Sequence, residues 1–344
     1  MKVVHILNSR EYSGAENVVI QIIKYSCQHN IEAYYVSPKG KIEERLKQEG
    51  IVYYMVDALN VYNIKKVIKK VNPDIIHAHD YTASIVSAIS SQGIRVVSHL
   101  HNNTPWIKKY GWKTWAFFLS TCKYSDILYV SGAIEREYVF SKYIKCKKIV
   151  VGNPINLSIV EEKAKEKPTD SEKYHIVFIG RLAKQKRPDI FLDIIAEIVK
   201  EFPEIKACIM GNGELYPALI QKREELGINS NVSFLGFVEN PYPILKNAKI
   251  LLITSDWEGF GLVAIEALSL GKPVVSTQVG GLIDVVNNEC GYLCKNKKEL
   301  LLSCLKLLKN DKLYREKSNK ALQRAKVMEN YNYYMKKLER IYYG

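Results

Sequence analysis

Two glutamates stand eight residues apart in the stretch SDWEGFGLVAIEALSLGKPVVSTQVGGLIDVV, Ser255 to Val286, on either side of a glycine-bearing turn that opens a helix. Gly259 and Gly261 let the backbone approach a ligand closely. Phe260, Gly261 and Leu262 offer N–H groups at the first turn of the helix, where the positive end of its dipole favours an anion. Glu258 lies at the edge of that turn, and Glu266, about two turns beyond it, faces the same side as the helix start. A diphosphate-linked sugar suits such a site: the backbone holds phosphate while the carboxylates accept hydrogen bonds from hydroxyls. Upstream, Arg181 and Lys186 follow an apolar run at the start of the second half. An arginine fork and a lysine point charge together bind a diphosphate, although Lys184, Lys186 and Arg187 also read as a plain basic surface run.

Other residues carry weaker signals. Gly211, Asn212 and Gly213 in MGNGEL form a lone G-x-G, either a turn near a nucleotide base or a turn that only shapes the chain. Gly14, in SGAEN, follows the first apolar run and opens a helix where backbone could approach a sugar or phosphate. His77 and His79 share one strand face in IIHAHD, as do His99 and His101 in SHLHN. The His77–His79 pair could ligate a metal, but no paired acidic motif accompanies it, so no metal is expected; His77 or His79, or Asp80, is expected on the acceptor side. A pair of acids also invites a glycosidase reading, for which a helix-embedded Glu266 beneath a phosphate-binding turn is poorly placed.

The elements that position these residues alternate short apolar runs with amphipathic stretches, the pattern of doubly wound parallel sheets. VVHIL, EAYYVS, DIIHAH, RVVSHLH and DILYVS read as strands of one half; HIVFIGRL, KACIMGNG, NVSFLG, KILLITS and KPVVST read as strands of the other. The 344 residues suffice for two domains, 1–156 and 157–326. The boundary is placed in the charged, proline-bearing stretch EEKAKEKPTDSEKY after Leu157, and a last helix begins near Val327.

Composition is that of a globular enzyme, with 47% hydrophobic and 25% charged residues. No apolar run reaches bilayer length, and the opening MKVVHILNS reads as a buried strand, so a cytoplasmic protein is expected. Seven scattered cysteines suggest reduced core thiols. The net charge of +14 falls partly on Lys65, Lys66, Lys69 and Lys70, and on Lys108, Lys109 and Lys113 among Trp106, Tyr110, Trp112, Trp115, Phe117 and Phe118. Cations beside aromatics fit an anionic membrane face; a solvated lysine face over a packed aromatic helix is the alternative. Nucleic acid is not expected, since no reader motif accompanies the charge.

The E-x7-E spacing, EGFG followed by EAL, GKPVVST and the Gly280-Gly281 turn resemble the donor-binding core of the retaining GT-B enzymes of glycosyltransferase family 4. GRLAKQKRPD, MGNGEL, FLGFVEN and SGAEN extend the resemblance over nearly the whole chain. It implies a GT-B fold, two Rossmann-like domains with parallel sheets facing across a cleft, the first for the acceptor and the second for the donor, with the last helix crossing back onto the first. It also implies retaining, metal-independent transfer from a nucleotide-diphosphate sugar, most often a UDP-sugar, to a hydroxyl of a glycan or lipid-linked acceptor in capsule or exopolysaccharide assembly. Arg181 and Lys186 would steady the leaving diphosphate, Glu258 would contact the donor sugar, Glu266 the ribose, and His101 would stand against the donor sugar. Several family members read GGAE where this chain has Ser13-Gly14. An epimerase or phosphorylase of the same fold, or a non-catalytic nucleotide-sugar-binding module, remain alternatives; a dehydrogenase lacks its G-x-G-x-x-G after the first strand.

Overall fold

The computed structural model describes every residue except Ser13 and Ser171, so the Ser13 departure lies outside the described residues. The chain divides into two compact units, one of residues 1–154 with 330–344 and the other of residues 155–329. Each is built on one parallel sheet covered by helices on both faces.

In the first unit the strands are β1 (Lys2–Ile6), β2 (Glu32–Pro38), β3 (Tyr53–Val56), β4 (Ile75–His79), β5 (Arg95–Leu100), β6 (Tyr124–Tyr129) and β7 (Lys147–Val150), in the spatial order β3-β2-β1-β4-β5-β6-β7. All pairings are parallel. Order reverses between β1 and β4, where connections leave to opposite sides and open a crevice at the carboxyl ends of the strands. Every residue of β4 is buried, which requires cover on both faces. Part of that cover is the last helix, Tyr331–Tyr343. Arg95 donates to the carbonyls of Ile341 (2.5 Å) and Tyr342 (3.1 Å) at its end and pairs with Asp126 at 3.0 Å. A cation on the unpaired carbonyls of a helix end satisfies them and complements the dipole.

The second unit has β8 (Ile176–Ile179), β9 (Ala207–Met210), β10 (Val232–Gly236), β11 (Ile250–Ile253), β12 (Val274–Thr277) and β13 (Gly291–Cys294), in the order β10-β9-β8-β11-β12-β13, again all parallel. The period of two sorts the side chains. Ile176 and Phe178 enter the core on one face with Ile250 and Leu252, while Val177 enters the other with Leu251 and Ile253. Its order reverses between β8 and β11.

Several expectations are corrected. The charged stretch after Leu157 begins with a helix, Leu157–Lys163, which buries Leu157 and Val160. Val327 belongs to the helix Asp311–Met328, and the last helix starts only at Tyr331. The helix after the EGFG turn starts at Leu262, so Glu266 lies just over one turn into it. Among the free cysteines, Cys27 and Cys122 are exposed and Cys146 half-buried, so only Cys208, Cys290, Cys294 and Cys304 are core thiols.

Candidate active site

In the second unit the residues singled out by sequence gather at the carboxyl ends of β8, β9, β11 and β12, and glycines make that gathering possible. A Cβ on Gly211, which has φ 146°, would lie 1.9 Å from the Gly180 carbonyl oxygen, and one on Gly213 2.3 Å from that of Leu182. Leu182 N–H donates to Asn212 O (2.9 Å) and Leu215 N–H to Leu182 O (3.0 Å). The MGNG turn is thus locked backbone to backbone against the Gly180-Arg181-Leu182 segment, where it sets the exit of β8. On the other side, a Cβ on Gly281 would lie 2.5 Å from Gly259 O, and Gly281 N–H donates to Glu258 O at 3.1 Å. The Gly280-Gly281 turn therefore braces the EGFG turn.

Between these two locked turns sits the Lys186–Glu258 pair, with Nζ 2.5 Å from Oε1. The same carboxylate oxygen accepts from Ser255 Oγ at 2.7 Å. Gly180 leaves room for the lysine stem, whose Cδ would lie 3.8 Å from a Cβ there. Thr254 Oγ1 donates to the carbonyls of Lys186 (2.9 Å) and Arg187 (2.8 Å), and Gln185 Nε2 donates to Trp257 O (2.8 Å), tying the basic loop to the end of β11. Arg187 sits in the left-handed region at φ 48° and pairs with Asp189 and Asp256, so this cation of the basic run is structural. Arg181 is different: its side chain is 70% exposed and only loosely paired, 3.7 Å from Glu214. It is free to swing onto a ligand.

The helix Leu262–Ser269 begins at Gly261, which has φ 92° and no capping side chain. Its first N–H groups, Leu262 among them, are open to an anion. A Cβ on Gly261 would meet Leu282 Cδ2 at 2.6 Å, so both conformation and space require glycine. Glu266 is half-buried, and desolvation pushes its carboxyl up to about 7 against the lowering effects of the Tyr242 hydroxyl and Lys163. Phe260 packs its ring against the apolar core of the unit, leaving its backbone at the turn.

In the first unit, His101 does not stand alone. The register sets His5 beside His77 and His79 beside His99, and the period of two puts all of them on one face of the sheet. His79 Nε2 lies 3.1 Å from His5 Nδ1, and His79 Nδ1 lies 2.9 Å from His101 Nε2. His77 Nδ1 lies 2.6 Å from the hydroxyl of Tyr342. Burial pushes His5 and His101 down to about 3; burial and then the neighbouring rings push His77, His79 and His99 well below the ordinary value. The cluster is neutral at pH 7. Five of its ring nitrogens are buried without a hydrogen-bond partner: Nε2 of His5 and His77, both nitrogens of His99, and Nδ1 of His101. Each such group costs about 1–3 kcal/mol. Two trios, His5-His77-His79 and His79-His99-His101, bring one ring nitrogen each within 4.8 Å of one another. The strand-face pairing was legible in HxH, but His5 was missed, because only the β1–β4 register brings it in.

Beside the cluster is a cavity of about 200 Å³ lined by residues that include Asn8, Glu16, His79, Asp80, Asn102 and Thr104. Asp80 opens its helix with φ 65°, a costly backbone for a non-glycine residue, and accepts from His101 N–H at 2.8 Å. Burial pushes its carboxyl up to about 7. The Asn102 and Thr104 side-chain oxygens are buried and unpartnered. Sequence reasoning missed both, for neither stands in a recognisable motif. Gly14 is exposed at the start of the helix Gly14–Gln28, whose next residue, Ala15, lines the same cavity.

Comparison with known proteins follows the same division. The Glycosyltransferase Family 4 model matches residues 12–159 and the Glycosyl transferases group 1 model residues 159–325. The chain is 28% identical, over 96% of its length and 95% of the relative's, to the GalNAc-alpha-(1->4)-GalNAc-alpha-(1->3)-diNAcBac-PP-undecaprenol alpha-1,4-N-acetyl-D-galactosaminyltransferase of Campylobacter jejuni. It is 24% identical to the capsular polysaccharide biosynthesis glycosyltransferase CapH of Staphylococcus aureus, over 81% of this chain and 82% of that one. Among solved structures, Anabaena HepE in complex with UDP-glucose superposes with a TM-score of 0.86 at 20% identity over 99% of both chains, which marks a shared fold. With both halves matched in order and both sheets wound as that fold requires, the chain belongs to the GT-B glycosyltransferases of family 4.

Proposed function

We propose that this glycosyltransferase moves a sugar, with retention, from a UDP-sugar to a hydroxyl of a lipid-linked glycan, without a catalytic metal. The observation that carries the reading is the Lys186–Glu258–Ser255 set at the uncapped start of the helix Leu262–Ser269. An incoming diphosphate finds a lysine, the exposed Arg181 and open backbone N–H groups, enough positive charge to hold the leaving group by protein alone. Glu258 is held by Lys186 and Ser255, an orientation suited to accepting a sugar hydroxyl and ill suited to a covalent nucleophile. Substitution on the front face fits that lack: the departing diphosphate helps take the acceptor proton, and Arg181, Lys186 and the N–H groups from Phe260 to Leu262 stabilise the charge it gains. Glu266 would accept from the ribose hydroxyls, and His101 would face the sugar. UDP is favoured by the HepE complex with UDP-glucose, and a lipid-linked acceptor by the undecaprenol named for the Campylobacter relative. The cavity beside Asp80, with its unpartnered Asn102 and Thr104 oxygens, suits acceptor hydroxyls.

Work at the inner face of a membrane is part of the proposal. Trp112 is 77% exposed; Tyr110, Trp115 and Leu119 are exposed too, and Lys108, Lys109 and Lys113 stand among them, whereas Phe117 is core. No helix among the described residues is long and apolar enough to cross a bilayer. Attachment would be peripheral and cytoplasmic, through aromatics and charge.

The test is nucleotide release from UDP-, GDP-, ADP- and dTDP-sugars by wild type and Glu258→Ala, with EDTA and with a lipid-linked acceptor extract. Release from one donor that survives EDTA, rises with acceptor and falls in the variant is the expected result. Release abolished by EDTA would overturn metal independence, and nucleotide binding without release would favour a binding module.

A further inference from the structure

We propose that His5, His77 and His79 form a structural site for a divalent transition metal, zinc first, buried at the β1–β4 crevice of the first unit. This goes beyond the transfer reaction and does not depend on it. The three residues each bring one ring nitrogen within 4.8 Å of the others. Two nitrogens bound to one tetrahedral zinc at about 2.0–2.1 Å lie roughly 3.3 Å apart; His5 Nδ1 and His79 Nε2 are 3.1 Å apart. The ligand type is right as well, since clustered imidazoles select zinc, copper or nickel over magnesium or calcium. All three side chains are buried, and His77 Nε2 has no hydrogen-bond partner.

The surroundings decide between the two trios that share His79. A metal-bound histidine ordinarily hydrogen-bonds through its other ring nitrogen, which fixes its orientation. His77 does so through Nδ1 to the Tyr342 hydroxyl at 2.6 Å, and His79 through Nδ1 to His101 Nε2 at 2.9 Å. Their Nε2 atoms are thereby assigned to the metal. In the alternative trio, His79-His99-His101, two ligands lack this outer layer, since both nitrogens of His99 and Nδ1 of His101 are unpartnered, whereas in the first trio only His5, through Nε2, lacks it. A metal at His5-His77-His79 also leaves His101 outside the ligand set. It would tie β1 to β4 and, through Tyr342, fasten the last helix to the sheet.

The three side chains are buried, so the metal is best loaded as the chain folds. The experiment is to unfold the full, untagged chain, refold it with zinc or cobalt(II), dialyse against EDTA, and measure bound metal by mass spectrometry and the d–d bands of cobalt. The expected result is an equimolar amount that resists the chelator, with tetrahedral cobalt bands. Retention below about a tenth of an equivalent in wild type would overturn the proposal. His5→Gln should lose the metal and His99→Gln should keep it; the reverse pattern would place the ion in the other trio and overturn this assignment. Should His5→Gln fail to fold, Tyr342→Phe keeps the question open to decision. It leaves the ligands in place and should lower metal affinity by about 10–100-fold, and unchanged affinity would count against the His77 role.

Discussion

The two sheets reverse their strand order at equivalent places, between β1 and β4 and between β8 and β11, and the chain fills the two crevices with opposite chemistry. The first holds neutral, buried imidazoles from His5, His77 and His79. The second holds charge: Lys186 paired with Glu258, Arg181 loose at the rim, and the open first turn at Gly261. Glycines mark the same contrast. Around the second crevice Gly211, Gly213 and Gly281 bring backbone against backbone where no Cβ fits, whereas side chains knit the first. Both use one left-handed non-glycine residue at a helix start, Asp80 and Arg187. Rossmann topology provides the crevice, and the residues at the strand ends decide whether it fixes structure or receives an anion.

The largest effect should come from separating those roles. Lys186→Ala removes the cation from the diphosphate position and leaves Glu258 with Ser255 alone; turnover should fall by about 10²–10³-fold while circular dichroism stays native. His77→Ala should do the reverse to its own crevice. It removes a fully buried ring and the hydrogen bond that holds Tyr342, so thermal unfolding should show a loss of about 2–4 kcal/mol with the UDP dissociation constant unchanged. If Lys186→Ala only destabilised, or His77→Ala weakened UDP binding, the contrast would be wrong.

Gly261→Ala tests the backbone side of the charged crevice. A Cβ there meets both the left-handed φ of 92° and Leu282 Cδ2 at 2.6 Å. Stability should drop by about 1–3 kcal/mol and UDP binding with it. Adding Leu282→Ala relieves the clash but not the torsion, so binding should recover only in part. Full recovery would show that space alone demanded glycine.

How much of this was legible in the sequence follows from where each signal is stored. The central strands announced themselves, because a strand covered on both faces is a continuous apolar run, as in KILLITS and DIIHAH. Three of the four edge strands, β3, β7 and β13, did not: KKIV carries two lysines and GYLC opens on glycine, as an edge strand with one neighbour can, whereas the edge strand β10 kept enough apolar residues in NVSFLG to be read. The EGFG turn and the basic loop were readable because each is a local motif. Ser255, which supports Glu258, carried no signal of its own, and neither did Asn102 and Thr104. His5 is the instructive miss, for it sits seventy-odd residues from His77 and nothing short of strand register joins them.

A smaller effect comes from Glu266. Its carboxyl, ordinarily near 4.5, titrates near 7 in the folded chain because burial disfavours its charge. The folded state therefore holds the proton more tightly than the unfolded one. The stability from that proton is complete below about 4.5 and is lost as pH rises towards and through 7, by about 2 kcal/mol after allowance for partial exposure. Ribose binding pulls the other way, because only the carboxylate accepts two hydroxyls. UDP affinity should thus improve a few-fold between about pH 6 and 8 while stability declines, and Glu266→Gln should flatten both profiles. A wild-type affinity indifferent to pH would remove Glu266 from the donor site.

The smallest effect lies outside both crevices, on the surface of Tyr110, Trp112 and Trp115. If that face meets an anionic bilayer, each lysine contributes about 1 kcal/mol near the surface and the exposed indoles add an apolar anchor. Trp112→Ala should then lower partitioning onto phosphatidylglycerol vesicles by several-fold, and salt should weaken what remains, since screening shortens the reach of Lys108, Lys109 and Lys113 but leaves apolar burial alone. Turnover on a soluble acceptor should not change. Binding to neutral vesicles as strong as to anionic ones would assign the surface to the aromatics alone. No binding at low salt would return the lysines to the solvent, leaving the distinction between the two crevices as the part of this molecule that charge explains.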